Sequence, residues 1–227
     1  MRDVRSLLSL LLTIPVVGLL LAALAIWVFA QIADEVVEQE TTNIDTLILQ
    51  TIRLGHTPLL DQIMVGIAFL GQPSVLVVIS LGLGIWLLIQ RRPFEATTLA
   101  IAALGAAGLN YWLKQMFARD RPALWERVVD VRYYSFPSGH AMVSMVIYGL
   151  IGYLLATRFR RWRVLILSFT TILILAIGFS RLYLGVHWPT DVAAGYAAGL
   201  VWLIACIFSL EIWRNRFNRS SLKKKQS

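Results

Sequence analysis

Residues 164–212 read VLILSFTTILILAIGFSRLYLGVHWPTDVAAGYAAGLVWLIACIFSLEI, and this stretch decides the class of fold. Two apolar runs, Val164 to Leu182 and Pro189 to Ile212, flank a short polar connection. Each approaches the roughly 20 residues that an α-helix needs to cross a hydrocarbon core about 30 Å thick. Outward from this pair, the same length test finds four more runs, so the expected fold is all-α, an integral membrane bundle of six transmembrane helices. The spans fall at approximately 7–30, 73–89, 94–117, 138–157, 164–182 and 189–212, in a single domain covering 1–227 whose last residues, 213–227, form a basic cytoplasmic tail. A shorter apolar stretch, Leu59 to Leu70, stops at Gly71-Gln72-Pro73 and reads as a half-helix or as an extension of the second span. The first run is far longer than the ~7–15 apolar residues of a signal peptide, so it reads as an uncleaved anchor even though Val28-Phe29-Ala30 would pass as a cleavage site.

Composition agrees with a membrane protein. Of 227 residues, 58% are hydrophobic and 15% charged, which is not the balance of a soluble domain. The single cysteine, Cys206, excludes an intrachain disulfide framework and a cysteine-based zinc site. A net charge of +8 would suggest a nucleic-acid partner in a soluble chain. Here most of the basic residues sit at the ends of apolar runs, so topology explains them and no nucleic-acid partner is expected. Arg2 and Arg5, Arg91 and Arg92, Arg158 to Arg163, and Arg214 to Lys225 mark the cytoplasmic side by the positive-inside rule. Both termini are then cytoplasmic. The first external segment carries Asp34, Glu35, Glu38, Glu40, Asp45 and His56, the last read as a loop residue without comparable partners. Trp27, Trp112, Trp125 and Trp188 fall near the outer interface and Trp86, Trp162 and Trp213 near the inner one, with Trp202 inside the sixth span. Gly195 and Gly199 suit close packing of that last helix.

Topology leaves a set of polar residues unexplained. On the external side remain Lys114, Arg119, Arg121, Arg127, Arg132 and Arg181, which the positive-inside rule disfavours, so an anion is expected there. Lys114 and Arg121 are seven apart, placing them on one side of the end of the third span if the helix continues. Taken alone, Lys114 could snorkel to headgroups and Arg121 could be a loop charge. Pro137-Ser138-Gly139-His140 opens the fourth span, with Ser138 a natural N-cap and Gly139 leaving the helix N-terminus open to phosphate. In the third cluster Asp191 follows His187 by four residues at the start of the sixth helix, so its carboxylate can hold one imidazole nitrogen and leave the other as a neutral nucleophile or base.

This inventory suits a phosphate monoester: cations for the non-bridging oxygens, a nucleophile opposite the leaving oxygen, and a proton donor for that oxygen. Two histidines and an aspartate also resemble a metal triad, though three cations at the same place would repel a divalent ion, and no metal or cofactor is expected. Ser138 is an alternative nucleophile, without the G-x-S-x-G surroundings of serine hydrolases. Spacing favours His187 only through Asp191.

Lys114-x6-Arg121-Pro122, Pro137-Ser138-Gly139-His140 and Ser180-Arg181-x5-His187-x3-Asp191 together resemble the tripartite signature of the type 2 phosphatidic acid phosphatases, in order and without departure. The motifs cover roughly Lys114 to Asp191, and the first hundred residues match the family only in hydropathy. The resemblance implies that His187 is the nucleophile, Asp191 its orienting partner and His140 the general acid and base. It implies that Lys114, Arg121, Ser138, Gly139 and Arg181 bind phosphate without metal. The expected function is hydrolysis of a membrane lipid phosphate, such as phosphatidylglycerophosphate, phosphatidic acid or undecaprenyl diphosphate, through a phosphohistidine, at a site on the external rim of the bilayer. A phosphotransferase using another acceptor and a non-enzymatic anion transporter are the alternatives. The related vanadate-dependent haloperoxidases are soluble, and the six spans argue against them.

Overall fold

The computed structural model describes residues 2–125 and 134–224, with side chains described over 16–125 and 134–217. Arg127 and Arg132 lie outside the described residues. Eight α-helices are present among them: α1 (Arg2–Val37), α2 (Thr42–Arg53), α3 (Pro58–Leu70), α4 (Pro73–Ile89), α5 (Pro93–Phe117), α6 (Gly139–Arg158), α7 (Arg163–Tyr183) and α8 (Pro189–Lys224). Proline opens α3, α4, α5 and α8, where its missing N–H costs no intrahelical bond. Thr57 caps α3 by accepting the Leu60 N–H at 3.3 Å.

Among the described residues five helices are long and apolar enough to cross a membrane, and α3 with α4 makes a sixth if that pair, bent by 46°, counts as one span. The break falls at Gly71-Gln72, where Gln72 takes the extended backbone that a following proline imposes. The Leu59–Leu70 stretch is therefore a helix in its own right, joined to the second span through a kink. Helix α1 continues to Val37, so Asp34 and Glu35 stand on its last turns. The segment that follows folds as the amphipathic helix α2, and the basic tail remains helical as far as Lys224.

The core lies among α4, α5, α6 and α8, built on Leu99, Ala102, Ala106, Val146, Ile147, Leu150, Leu203 and Cys206. Outward faces are just as apolar: Leu20, Val78, Leu104 and Val164 are all more than 60% exposed. A soluble protein would not tolerate this, but lipid does, and packing rather than exclusion of water then selects the helix neighbours. Small residues do this selecting. A Cβ on Gly195 would stand 2.7 Å from the Ser138 carbonyl oxygen, and one on Gly199 2.7 Å from that of Met142, so α8 meets α6 backbone to backbone. Trp202, mid-span, donates its indole N–H to the Ala102 carbonyl at 3.1 Å, which satisfies its polar atom inside the bundle. At the end of the bundle carrying Arg91, Arg92 and Arg158, Arg214 donates to Glu95 and Glu211, each at 2.8 Å. The opposite end gathers the end of α5, the start of α6, the end of α7 and the start of α8.

Candidate active site

Those four helix ends bring the three sequence clusters together. Helix α5 stops at Phe117 because Ala118 takes a left-handed conformation, φ 45°. Lys114 and Arg121 therefore do not converge through two helical turns, as the spacing suggested. The chain reverses after Phe117 instead, and both side chains reach the Tyr134 carbonyl, Lys114 through Nζ and Arg121 through Nη2 at 3.2 Å. Lys114 also donates to the Ser135 carbonyl at 3.2 Å. Phe136, fully buried against Phe29 and Phe117, anchors the strand of chain that leads into α6.

Ser138 occupies the N-cap position of α6 but does not cap with its side chain. Its N–H donates to the Asp191 carbonyl at 2.9 Å, so that group is committed to holding α6 against α8 rather than open to an anion. Gly139 is required for another reason as well: a Cβ there would stand 2.9 Å from Asn110 Oδ1. Asn110 in turn donates to the Pro137 carbonyl at 3.2 Å and fixes the entrance to α6.

His187 lies between α7 and α8, on a turn that uses Gly185 at φ 65°. It is 2% exposed and Asp191 is fully buried. Arg121 Nη1 is 3.1 Å from His187 Nε2 and donates to the Val186 carbonyl at 2.6 Å. A guanidinium carries no acceptor, so Nε2 must be the accepting nitrogen and the ring proton sits on Nδ1. That nitrogen faces Asp191 Oδ2 at 3.3 Å. The structure thus has one self-consistent tautomer, with the Nε2 lone pair directed toward the arginine. Burial first, then the charges of Arg121, Lys114 and Arg181, hold the imidazole well below the ordinary histidine range, so it is neutral.

A cavity of about 520 Å³ opens beside these groups, lined at its polar end by Lys114, Arg121, Gly139, His140, Arg181 and His187. Leu76, Val77, Ala103, Ala107, Val143 and Ile147 line its apolar remainder. Ser138 Oγ, His140 Nε2 and Arg181 Nε are buried atoms without a hydrogen-bond partner. Buried polar groups of this kind cost stability unless something satisfies them. Three cations, of which Arg181 keeps an unpartnered buried Nε, lie beside a neutral imidazole, an arrangement that can receive an oxyanion and attack it. Among the described residues no three His, Cys, Asp or Glu side chains gather as a metal-ligand set.

Several participants were not foreseen as parts of the site. Ser135 donates to Asp191 Oδ2 and lies 3.4 Å from His187 Nδ1. Its signal was only its place one residue before the Phe136–His140 cluster. Arg119, counted as a stray cation, donates to Asp191 Oδ1 at 2.7 Å and to Asp45 Oδ2 at 2.8 Å. Asp45, one of the acids of the first external segment, is 1% exposed. His56 lies in the loop between α2 and α3, outside the cavity, where its ring stacks on Tyr183 at 3.9 Å and its Nδ1 is 2.9 Å from Arg53 Nη1.

Residues 95–214 match the PAP2 superfamily. The chain is 30% identical over 160 residues to phosphatidylglycerophosphatase B of Bacillus subtilis, covering 69% of this chain and 78% of that one. It is 30% identical over 153 residues to a putative undecaprenyl-diphosphatase of Escherichia coli, covering 64% and 71%. The crystal structure of a transmembrane PAP2-type phosphatidylglycerolphosphate phosphatase from Bacillus subtilis superposes with a TM-score of 0.78 at 25% identity, over 86% of this chain and 96% of that one.

Proposed function

Because the chain belongs to the PAP2 superfamily, we propose that it hydrolyses the phosphate ester of a membrane lipid in two steps through a phosphohistidine, without a metal. One observation carries the reading. His140 Nε2 and Arg181 Nε, buried and unpartnered, belong to residues lining the cavity into which a neutral, carboxylate-held His187 looks. A bound phosphate supplies the missing partners.

Lys114, Arg121 and Arg181, with Ser138 Oγ and the N–H at Gly139, bind the non-bridging oxygens, and the charge building there in the transition state is met by donors already in place. Arg121 releases Nε2 as it turns to the phosphate. His187 Nε2 then attacks phosphorus, the bond to the leaving oxygen breaks, and His140 gives that oxygen its proton. Asp191, holding the Nδ1 proton, keeps the ring aimed and stabilises the positive charge it acquires. In the second step His140 takes a proton from water, whose oxygen attacks phosphorus and frees His187.

The apolar arm of the cavity accepts the substrate's hydrocarbon, which makes a lipid phosphate the fitting substrate class, as the names of the relatives suggest. Phosphatidylglycerophosphate, phosphatidic acid and undecaprenyl diphosphate all satisfy this chemistry. With the arginine-rich end of the bundle in the cytoplasm, both termini are inside and the site opens to the outer leaflet. The test is to incubate purified protein in EDTA with labelled forms of these three lipids, then quench and probe for an acid-labile, base-stable phosphoenzyme. Activity lost in the chelator overturns the metal-free step, and an acid-stable adduct assigns the attack to Ser138. Label appearing on an added alcohol rather than as free phosphate assigns a phosphotransferase. Flux of anion across liposomes that survives His187→Ala assigns a transporter.

A further inference from the structure

The buried face of α2 holds two residues, Asp45 and Leu49. A short amphipathic helix that spends one of its two buried positions on a carboxylate needs that carboxylate for something, since an apolar side chain would pack there without desolvating a charge. Asp45 is fully engaged. Its Oδ2 receives Arg119 Nη2 at 2.8 Å and the Thr190 hydroxyl at 2.6 Å, and its Oδ1 receives the Thr190 N–H at 3.1 Å in the first turn of α8. The other arm of the Arg119 fork donates to Asp191 Oδ1 at 2.7 Å and to Thr190 Oγ1 at 2.7 Å. Thr41, at the N-cap of α2, accepts from Arg119 Nη2 at 3.2 Å.

The two oxygens of Asp191 are thus divided. Oδ2 meets His187 Nδ1, the Ser135 hydroxyl and the Trp188 N–H. The partner of Oδ1 is Arg119. Without the guanidinium, Oδ1 has no anchor and the carboxylate can turn about its last torsion, taking the plane of the imidazole with it. The electrostatic arrangement is equally specific, with one cation between two carboxylates, leaving a single net negative charge behind His187.

We propose that Asp45 and Arg119 are positioning residues for the phosphoryl-transfer step, a buried Asp45–Arg119–Asp191 relay through which α2, outside the three signature motifs, aims the His187 nucleophile. This rests on His187 being that nucleophile. Neither residue lines the cavity, so neither contacts phosphate, and both act through Asp191.

The groups facing His187 from each packed element are Lys114 on α5, Arg121 in the connection after it, His140 on α6, Arg181 on α7 and Asp191 on α8. Behind Asp191 stand Arg119 and Asp45. Changing the relay therefore changes the field at His187 with a sign that depends on which member is removed. Arg119→Gln deletes a positive charge, leaves Asp191 uncompensated and favours the protonated imidazole, moving the acid limb of kcat/KM to higher pH. Asp45→Asn deletes a negative charge and moves the limb to lower pH. Arg119→Lys keeps the charge but not the fork, so the limb stays while kcat falls. A misplacement of about 1 Å costs on the order of 100-fold in rate, so kcat is expected to fall roughly 10- to 100-fold in all three variants with KM held within about twofold.

The assay is steady-state hydrolysis of dioctanoyl phosphatidic acid by full-length protein in detergent across pH, with thermal unfolding followed alongside. Opposite movements of the two limbs are the expected result, because a merely structural node would lower the amount of active protein without moving a limb in either direction. Limbs that move together, or not at all, overturn the relay. If Asp45→Asn does not fold, Arg119→Lys decides alone, and an unchanged kcat overturns it. Wild-type turnover by His187→Ala would instead remove the functional reading itself, leaving these outcomes distinct.

Discussion

Gly71 offers a direct test of how the kink between α3 and α4 serves the site. A Cβ at this position would stand 2.4 Å from Ile177 Cγ2 and 3.0 Å from His140 Cδ2. Carbons settle at about 3.5–4.0 Å, so Gly71→Ala overlaps the isoleucine by roughly 1 Å and the imidazole by roughly half of that. The backbone itself is no obstacle: Gly71 has φ −91°, which any residue adopts. The cost is therefore steric, about 1–3 kcal/mol of overpacking, and part of it is relieved by pushing the His140 ring. Since about 1 Å of misplacement at reacting groups costs on the order of 100-fold, the expected loss of kcat is about 10- to 100-fold. The assay pairs turnover of a lipid phosphate with thermal unfolding in the same detergent. Gly66→Ala is the control, because a Cβ there meets nothing within 4 Å and gains up to about 1 kcal/mol of helix propensity. Adding Ile177→Ala to Gly71→Ala removes the tighter overlap at the cost of a fully buried side chain, while the encroachment on His140 keeps turnover low. Full activity and full stability in Gly71→Ala would refute the reasoning, as would an equal loss in Gly66→Ala.

The proton-transfer role proposed for His140 is separable with a leaving group that needs no proton: His140→Ala acting on p-nitrophenyl phosphate is expected to give a stoichiometric burst of nitrophenolate followed by slow turnover, with phosphoenzyme accumulating. A single-phase, uniformly slow trace would remove the acid–base role. Because burial and three cations depress His187, its imidazole stays neutral below the unfolded value of about 6.5. The acid limb of kcat/KM is thus expected below that value, and Arg121→Gln, one cation fewer, should raise it. The sign for folding is the same: the stability linked to neutral His187 is complete above about pH 6.5 and is lost as pH falls toward the depressed folded-state value. A limb at or above 6.5 in the unaltered protein contradicts this. Ala107→Trp, filling the apolar arm of the cavity, should slow hydrolysis of long-chain lipid phosphates several-fold and leave p-nitrophenyl phosphate untouched. Equal effects on both substrates would disconnect that arm from the lipid tail.

Much of this protein was legible in the linear chain, and for identifiable reasons. Apolar runs of bilayer length need no partner to be recognised, because lipid imposes its own periodless rule that every residue in the run be apolar. Helices α4 to α7 run over Pro73–Ile89, Pro93–Phe117, Gly139–Arg158 and Arg163–Tyr183, lengths that such apolar runs favour. The three polar clusters each abut a helix end, and the structure brings Lys114, Arg121, Gly139, His140, Arg181 and His187 from them to one cavity. What the sequence left undetermined was decided by contacts between segments remote from one another. Nothing local distinguishes Asp45 from the exposed acids around it. Only the docking of α2 against α8 buries it on Thr190 and Arg119. Nothing local gives Ser138 N–H to Asp191 rather than to an anion, or makes Arg121 reach back through a chain reversal at Ala118. Helix lengths and end-residue chemistry follow from the solvent each residue prefers, which is a property of the residue alone. The aim of the histidine follows from which carboxylate, guanidinium and hydroxyl meet when the helices pack, and that is a property of the folded molecule.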